Sequence, residues 1–219
     1  MMGRRSGSGP DDLVLAARAA GVRDRRVLDV IRTTPREAFV PAAFAGLAYA
    51  DAPIPITHDQ VTSQPSLSAT MVAALGLTGG ETVLEVGTGY GYQTALLARL
   101  AARVVSIEVW ADMARQARRN LAGQGIGNVA VLAGDGTNGA PGHAPFDAII
   151  ISAAFPTVPP PLISQLSIGG HLVQPIGPGG REDVMLFERA ADGLTRVRVL
   201  MRASFVRLYG RYGFPARAP

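Results

Sequence analysis

Val83-Leu84-Glu85-Val86-Gly87-Thr88-Gly89-Tyr90-Gly91 reads as a short apolar strand that runs into a glycine-rich turn, with a helix over 90–100 behind it. Glycines at such a turn permit positive φ and let a ligand approach the backbone closely. The spacing is G-x-G-x-G, not the G-x-G-x-x-G of dinucleotide sites. A tight turn with no ligand is the plain structural alternative.

Outward from this turn, strands and helices alternate. The pattern predicts strands at 82–86, 103–107, 128–132 and 147–151, with a helix at 110–121 between the second and third. Ile149-Ile150-Ile151 is apolar without alternation, as befits a strand buried on both faces. A short helix at 161–165 and a strand at 171–174 follow, the latter set off by Gly169-Gly170. This rhythm predicts an α/β fold with a doubly wound, mostly parallel sheet and right-handed crossovers. Segments 183–188 and 195–200 flank Ala-Ala-Asp-Gly as a hairpin, and 204–208 reads as one more strand.

Upstream the texture is helical, at 11–20, 24–32 and 66–77. Asp24 stands at an N-cap position, and Leu67, Met71, Ala74 and Leu75 are expected on one face. Pro35, Pro41, Pro53 and Pro55 break up the segment between. The expected organisation is a flexible tail at 1–10 and a single domain at 11–219. Within that domain, 11–78 is a helical cap with a site loop, and 79–219 is the doubly wound core with a C-terminal hairpin and strand extension.

Composition narrows the chemistry. The chain has 219 residues, 47% hydrophobic and 17% charged, enough apolar content for a full core. All 21 of its Lys+Arg cations are arginine, so a Schiff-base lysine is excluded. Cysteine is absent, which removes disulfides, thiolate metal sites and a cysteine nucleophile. His58, His143 and His171 lie far apart, and no metal is expected. The net charge of +4 is modest and the arginines are scattered, so no nucleic-acid partner is expected. No run of 18 apolar residues occurs; a cytoplasmic monomer away from membranes is the expectation.

Three strand ends in series carry functional groups. After the glycine turn, the second strand ends at Glu108, an acceptor suited to both ribose hydroxyls. The third ends in Gly134-Asp135-Gly136, where Asp135 can accept from an adenine amino group or merely shape a turn. Together they predict a nucleoside pocket at the carboxyl edge of the sheet. A donor with no phosphate and an amino-acid tail fits this loop, and the stretch resembles motif I of the class I S-adenosylmethionine-dependent methyltransferases, a Rossmann-like fold.

A narrower resemblance rests on other segments. These are Pro35-Arg36-Glu37-Ala38-Phe39-Val40-Pro41, Gln60-Val61-Thr62-Ser63-Gln64-Pro65, Gly134-Asp135-Gly136 with Ala144-Pro145-Phe146-Asp147, Gly169-Gly170-His171-Leu172-Val173, and Phe205-Val206-Arg207-Leu208. In order and spacing they resemble the protein-L-isoaspartate O-methyltransferases from about Val27 to Phe214. The resemblance implies methyl transfer from S-adenosylmethionine to the free carboxylate of L-isoaspartyl residues in damaged peptides and proteins. The ester then closes to a succinimide, which partly reopens to aspartate. It implies Ser63 as the catalytic residue. The implied cofactor contacts are Thr62, Ser63, Ser68, Gly87, Thr88, Gly89, Tyr90, Gly91, Glu108, Val109, Asp135 and Gly136.

A carboxylate acceptor is already ionised at neutral pH, so the scarcity of bases is no obstacle. Capping of the 66–77 helix is the bland alternative for Ser63, and Ser66 is better placed for it. The chain departs from the family where Thr57-His58-Asp59-Gln60-Val61-Thr62 replaces Gly-x-Gly-Gln-Thr-Ile. That change opens a second reading, the same chemistry on a dedicated peptide or small acid. Ser152-Ala153-Ala154-Phe155-Pro156 lacks the Asn/Asp-Pro-Pro-Tyr turn of base methylation and disfavours a nucleic-acid methyltransferase. The intact turn, Glu108 and Asp135 disfavour a non-catalytic module.

Overall fold

The computed structural model describes residues 9–215. The expected tail falls mostly outside them, and Pro10 already belongs to the first helix, α1 (Pro10–Ala19). Helix α2 (Arg25–Thr33) starts as the sequence predicts: the Asp24 carboxylate accepts from the Arg26 and Val27 amides. Two 3-10 turns, Arg36–Phe39 and Ala42–Leu47, then lead to a minimal hairpin of β1 (Ile54–Pro55) and β2 (Val61–Thr62).

Helix α3 (Pro65–Ala74) begins with Pro65 at its first turn, where the missing N–H is no loss. Ser66 does not cap it. Instead Asp51, fifteen residues upstream, accepts from the Ser66 amide at 2.8 Å and from the Gln64 side chain at 2.8 Å. The expected single apolar face is also too narrow: Pro65 to Ala69, Met71 and Val72 are all buried, because α3 lies among α1, α2 and α4.

The core is a seven-stranded sheet in the order β5-β4-β3-β6-β7-β8-β9. Its strands are β3 (Thr82–Val86), β4 (Arg103–Glu108), β5 (Val129–Ala133), β6 (Phe146–Ile151), β7 (Leu166–Ile176), β8 (Glu182–Ala190) and β9 (Gly193–Ala203). The first five are parallel; β8 and β9 add as an antiparallel hairpin. Alternate residues split the core between two faces. Val83, Val104, Ile150 and Val173 pack with α1, α2, α3, α4 (Tyr92–Ala98) and α5 (Ala111–Gly123). Leu84, Val105, Ile149 and Leu172 pack with α6 (Pro160–Gln165) and Leu208.

Two expectations need correction. Strand β7 begins five residues earlier than 171 because Gly169-Gly170 does not interrupt it. A Cβ on Gly170 would stand 2.8 Å from the Asp147 carbonyl, and the β6–β7 register shifts between Phe146 and Ala148. The glycines serve a close approach at a bulge. Residues 204–208 form no strand: Val206 and Leu208 bond Ala154, in the loop after β6, through an isolated bridge at Arg207, and the Leu208 carbonyl also accepts from the Phe214 amide at 2.7 Å.

The chain order reverses between β3 and β6, since β3 continues to β4 and β5 on one side and β6 to β7 on the other. Ligands of open α/β sheets bind outside the carboxyl ends of strands at such a switch point.

Candidate active site

A cavity of about 960 Å³, including its open mouth, lies at that switch point. Its floor is the turn after β3. Gly87 (φ 97°), Gly89 (φ 57°) and Gly91 (φ 96°) are all left-handed, which only glycine adopts freely. Gly136 closes one wall so tightly that an added Cβ would lie 2.5 Å from Val86 Cγ1.

Of the sequence-predicted residues, Thr62, Ser63, Ser68, Gly87, Thr88, Gly89, Tyr90, Gly91, Glu108, Val109 and Gly136 line this one cavity. Asp135 does not. Its Oδ1 accepts from the Thr137 amide and hydroxyl at 2.8 and 2.6 Å, and its Oδ2 from the Arg211 amide at 2.7 Å. Burial opposes its ionisation, but those bonds outweigh it and hold its pKa below the usual range. Asp135 thus pins the C-terminal segment, which brings Val206, Arg207 and Tyr209 into the cavity wall. The linear sequence gives no signal for that return.

Glu108 ends β4 with 4% of its surface exposed. Its two oxygens accept from the Gly89 amide at 2.9 Å and the Trp110 amide at 3.1 Å. Burial raises its pKa, partly countered by these amides. The carboxylate therefore ties the glycine turn to the start of α5 and keeps lone pairs for a ligand's hydroxyls.

Behind the floor lies a second carboxylate. Glu85 is fully buried and accepts from Ser106 at 2.6 Å, Thr94 at 2.5 Å and Gln93 at 3.1 Å. Desolvation lifts its pKa to about 7 despite those donors. Gln93 also donates to Ser152 at 2.9 Å, and both line the cavity. The Gln93 Oε1 is buried without a hydrogen-bond partner.

Ser63 is brought to the cavity by Arg36, which the sequence placed in a motif without a role. Arg36 is fully buried. Nη1 donates to the Ala48 and Ala50 carbonyls at 2.9 and 3.0 Å. Nη2 donates to the Ala52 carbonyl and Thr62 Oγ1 at 3.0 Å each, and to the Ser63 carbonyl at 3.3 Å. One guanidinium thus gathers 48–52 and 62–63 around itself; burial lowers its pKa, and the Tyr92 ring, centred 5.7 Å away, closes one side.

His58 stays partly exposed and stacks its ring on Trp110. His171 bonds the Leu75 carbonyl and His143 meets Arg103. Among the described residues no cluster of metal-ligating side chains occurs, and no helix is long and apolar enough to cross a membrane.

The comparisons agree with this geometry. The family model for protein-L-isoaspartate(D-aspartate) O-methyltransferase matches residues 9–213. A protein-L-isoaspartate O-methyltransferase of Anaeromyxobacter dehalogenans is 52% identical over 86% of this chain and 91% of its own. Another, of Methanoculleus marisnigri, is 46% identical over 90% of this chain and 89% of its own. A solved protein-L-isoaspartate O-methyltransferase superposes with a TM-score of 0.82 and 29% identity, covering 93% of this chain and 67% of that one. The glycine turn, the buried acidic strand end and the Ser-Gln-Pro loop thus meet in one cavity, and the chain belongs to the protein-L-isoaspartate(D-aspartate) O-methyltransferase family.

Proposed function

We infer that this chain transfers a methyl group from S-adenosylmethionine to the free carboxylate of L-isoaspartyl residues in damaged peptides and proteins. The observation that carries the reading is the presence of Ser63 in the wall of the same cavity as Gly87–Gly91 and Glu108. The residues fit the cofactor. The left-handed turn leaves room at the backbone, and Glu108 retains acceptor capacity for a ribose.

When bound, the cofactor supplies a methyl group already activated by a positively charged sulfur. The chain supplies placement. The acceptor is ionised at neutral pH and needs no base. Joining a carboxylate to a sulfonium methyl removes two opposite charges, so a site with little water favours the step. Ile56 lies over Gly89, and Val86, Val109 and Ile107 line the same space, which makes that wall apolar. Ser63 donates a hydrogen bond to one acceptor oxygen and leaves the other aligned for attack.

Methyl incorporation into an isoaspartyl peptide and its aspartyl twin tests the reading. Strong preference for the first is expected; equal labelling of both moves the acceptor to a dedicated peptide or acid, and labelling of RNA rejects the reading. Ser63→Ala is expected to lower kcat/KM for the peptide about tenfold to a hundredfold while the cofactor Kd stays within about twofold. Glu108→Ala removes the acceptor of two backbone amides and of the ribose. It is expected to weaken cofactor binding by about 1–3 kcal/mol in calorimetry; unchanged affinity would remove Glu108 from the pocket.

A further inference from the structure

The hairpin between β1 and β2 departs from the family pattern, and its tip touches the opposite side of the cofactor chamber. Ile56 donates its amide to the Gln60 carbonyl at 2.9 Å, and the Gln60 amide returns to the Thr57 carbonyl at 3.2 Å. This narrow turn holds His58 (φ 60°) and Asp59 (φ 54°) in the left-handed region, sparsely populated by residues with a Cβ. The backbone so placed presents the His58 imidazole to Trp110. The rings are parallel within 3°, with centroids 4.0 Å apart. The same imidazole meets Asp112 through Nε2 at 2.9 Å.

The two ends of this contact stand on opposite walls of one chamber. The hairpin supplies Ile56, Gln60 and Val61, and the β4–α5 junction supplies Val109, Trp110 and Met113. Ile56 lies over the glycine turn, 3.7 Å from where a Cβ on Gly89 would stand. Trp110 follows Glu108 by two residues and donates its amide to that carboxylate.

We propose that His58 and Asp112 are positioning residues for the cofactor: through Trp110 they clamp the hairpin across the nucleoside end of the chamber, which sets how long the donor and its demethylated product stay bound. This rests on the S-adenosylmethionine reading above. Asp112 holds the imidazole in plane with a bond to Nε2, and the accepted bond keeps the Asp112 carboxyl below its usual pKa. The clamp is partly open to solvent, with 32% of the His58 side chain and 48% of the Asp112 side chain exposed, so it can part without unfolding the sheet. The same hairpin ends in Thr62, next to Ser63, so closing it also seats the acceptor loop.

Trp110 is the chain's single tryptophan and lines the chamber, so its emission reports ligand occupancy there in the parent and in the His58 variants alike. The test is stopped-flow dissociation of S-adenosylhomocysteine from the full chain, followed by Trp110 emission, with steady-state KM for S-adenosylmethionine alongside. His58→Ala is expected to raise the dissociation rate and KM about tenfold, the change in kcat/KM being carried by KM. His58→Phe keeps a stacking ring and is expected to stay within about threefold of the parent. Asp112→Ala is expected to fall between. Dissociation from His58→Ala within twofold of the parent overturns the clamp, and so does His58→Phe behaving like His58→Ala. Failure of the parent chain to bind S-adenosylhomocysteine at all would instead reject the cofactor reading.

Discussion

Arg36→Met unfolds in urea with about 2–4 kcal/mol less stability than the parent: a buried carbonyl left without a donor costs about 1–3 kcal/mol, which the Ala48 carbonyl bears most fully, while the Ala50 carbonyl keeps the Ala52 amide at 2.9 Å. The carbonyls of Ala48, Ala50, Ala52 and Ser63 all face this guanidinium. Methionine fills a similar volume and donates to none of them. Such a loss is a large part of an ordinary domain's margin of about 5–15 kcal/mol. Arg36→Lys is expected to recover only part of it, because one ammonium on a flexible stem cannot reproduce a planar fork reaching five oxygens. A parent-like urea midpoint for Arg36→Met would show that water or a shifted loop replaces the guanidinium. In that event the position of Ser63 would not depend on Arg36.

The burial of Arg36 has no local signature in the sequence. Pro35-Arg36-Glu37 was visible as a motif, but nothing local says that an arginine will be fully buried among carbonyls up to 27 residues away. The strands around the glycine turn were legible because each local signal agreed with the others: apolar runs, capping at Asp24 and glycines with an assignable φ. The cofactor wall was legible for the same reason, since parallel strands put consecutive strand ends side by side. Asp135 was legible as an acceptor at a strand end but not as to its donor, since Arg211 is 76 residues distant. The reading of 204–208 as a strand followed β-propensity, which gives no information on whether a partner strand is available. Here the sheet edge is already taken by β9, and the segment is diverted over the loop after β6 to complete the cavity. Gly169-Gly170 has the local texture of a break, whereas the glycines answer a close approach by Asp147.

Glu85→Gln should change how stability depends on pH more than it changes stability at any one pH. The folded chain holds this carboxyl near pKa 7, against 4.5 for an ordinary glutamate, because burial disfavours the charge more than three side-chain donors favour it. A raised carboxyl pKa means that the folded state binds the proton more tightly than the unfolded state. The neutral form's contribution is therefore complete below about pH 4.5 and is lost as pH rises through about 7. Across that window the parent gives up roughly 3 kcal/mol from this group. Glutamine is neutral throughout and still fits between Ser106 and Thr94, whose hydroxyls can turn to suit it. The stability difference between variant and parent is thus expected to move toward the variant by roughly 3 kcal/mol from pH 5 to pH 8, read from urea midpoints at both. A constant difference would mean that Glu85 stays ionised throughout and that its donors outweigh burial. The location matters to the chemistry next door. Gln93 joins Glu85 to Ser152 in the cavity wall, so a carboxyl whose ionisation burial resists lies one hydrogen bond behind the chamber that holds a cationic donor. The group that destabilises the sheet as pH rises is the group whose negative charge favours that donor, and Glu85→Gln is expected to gain stability at pH 8 while losing cofactor affinity there.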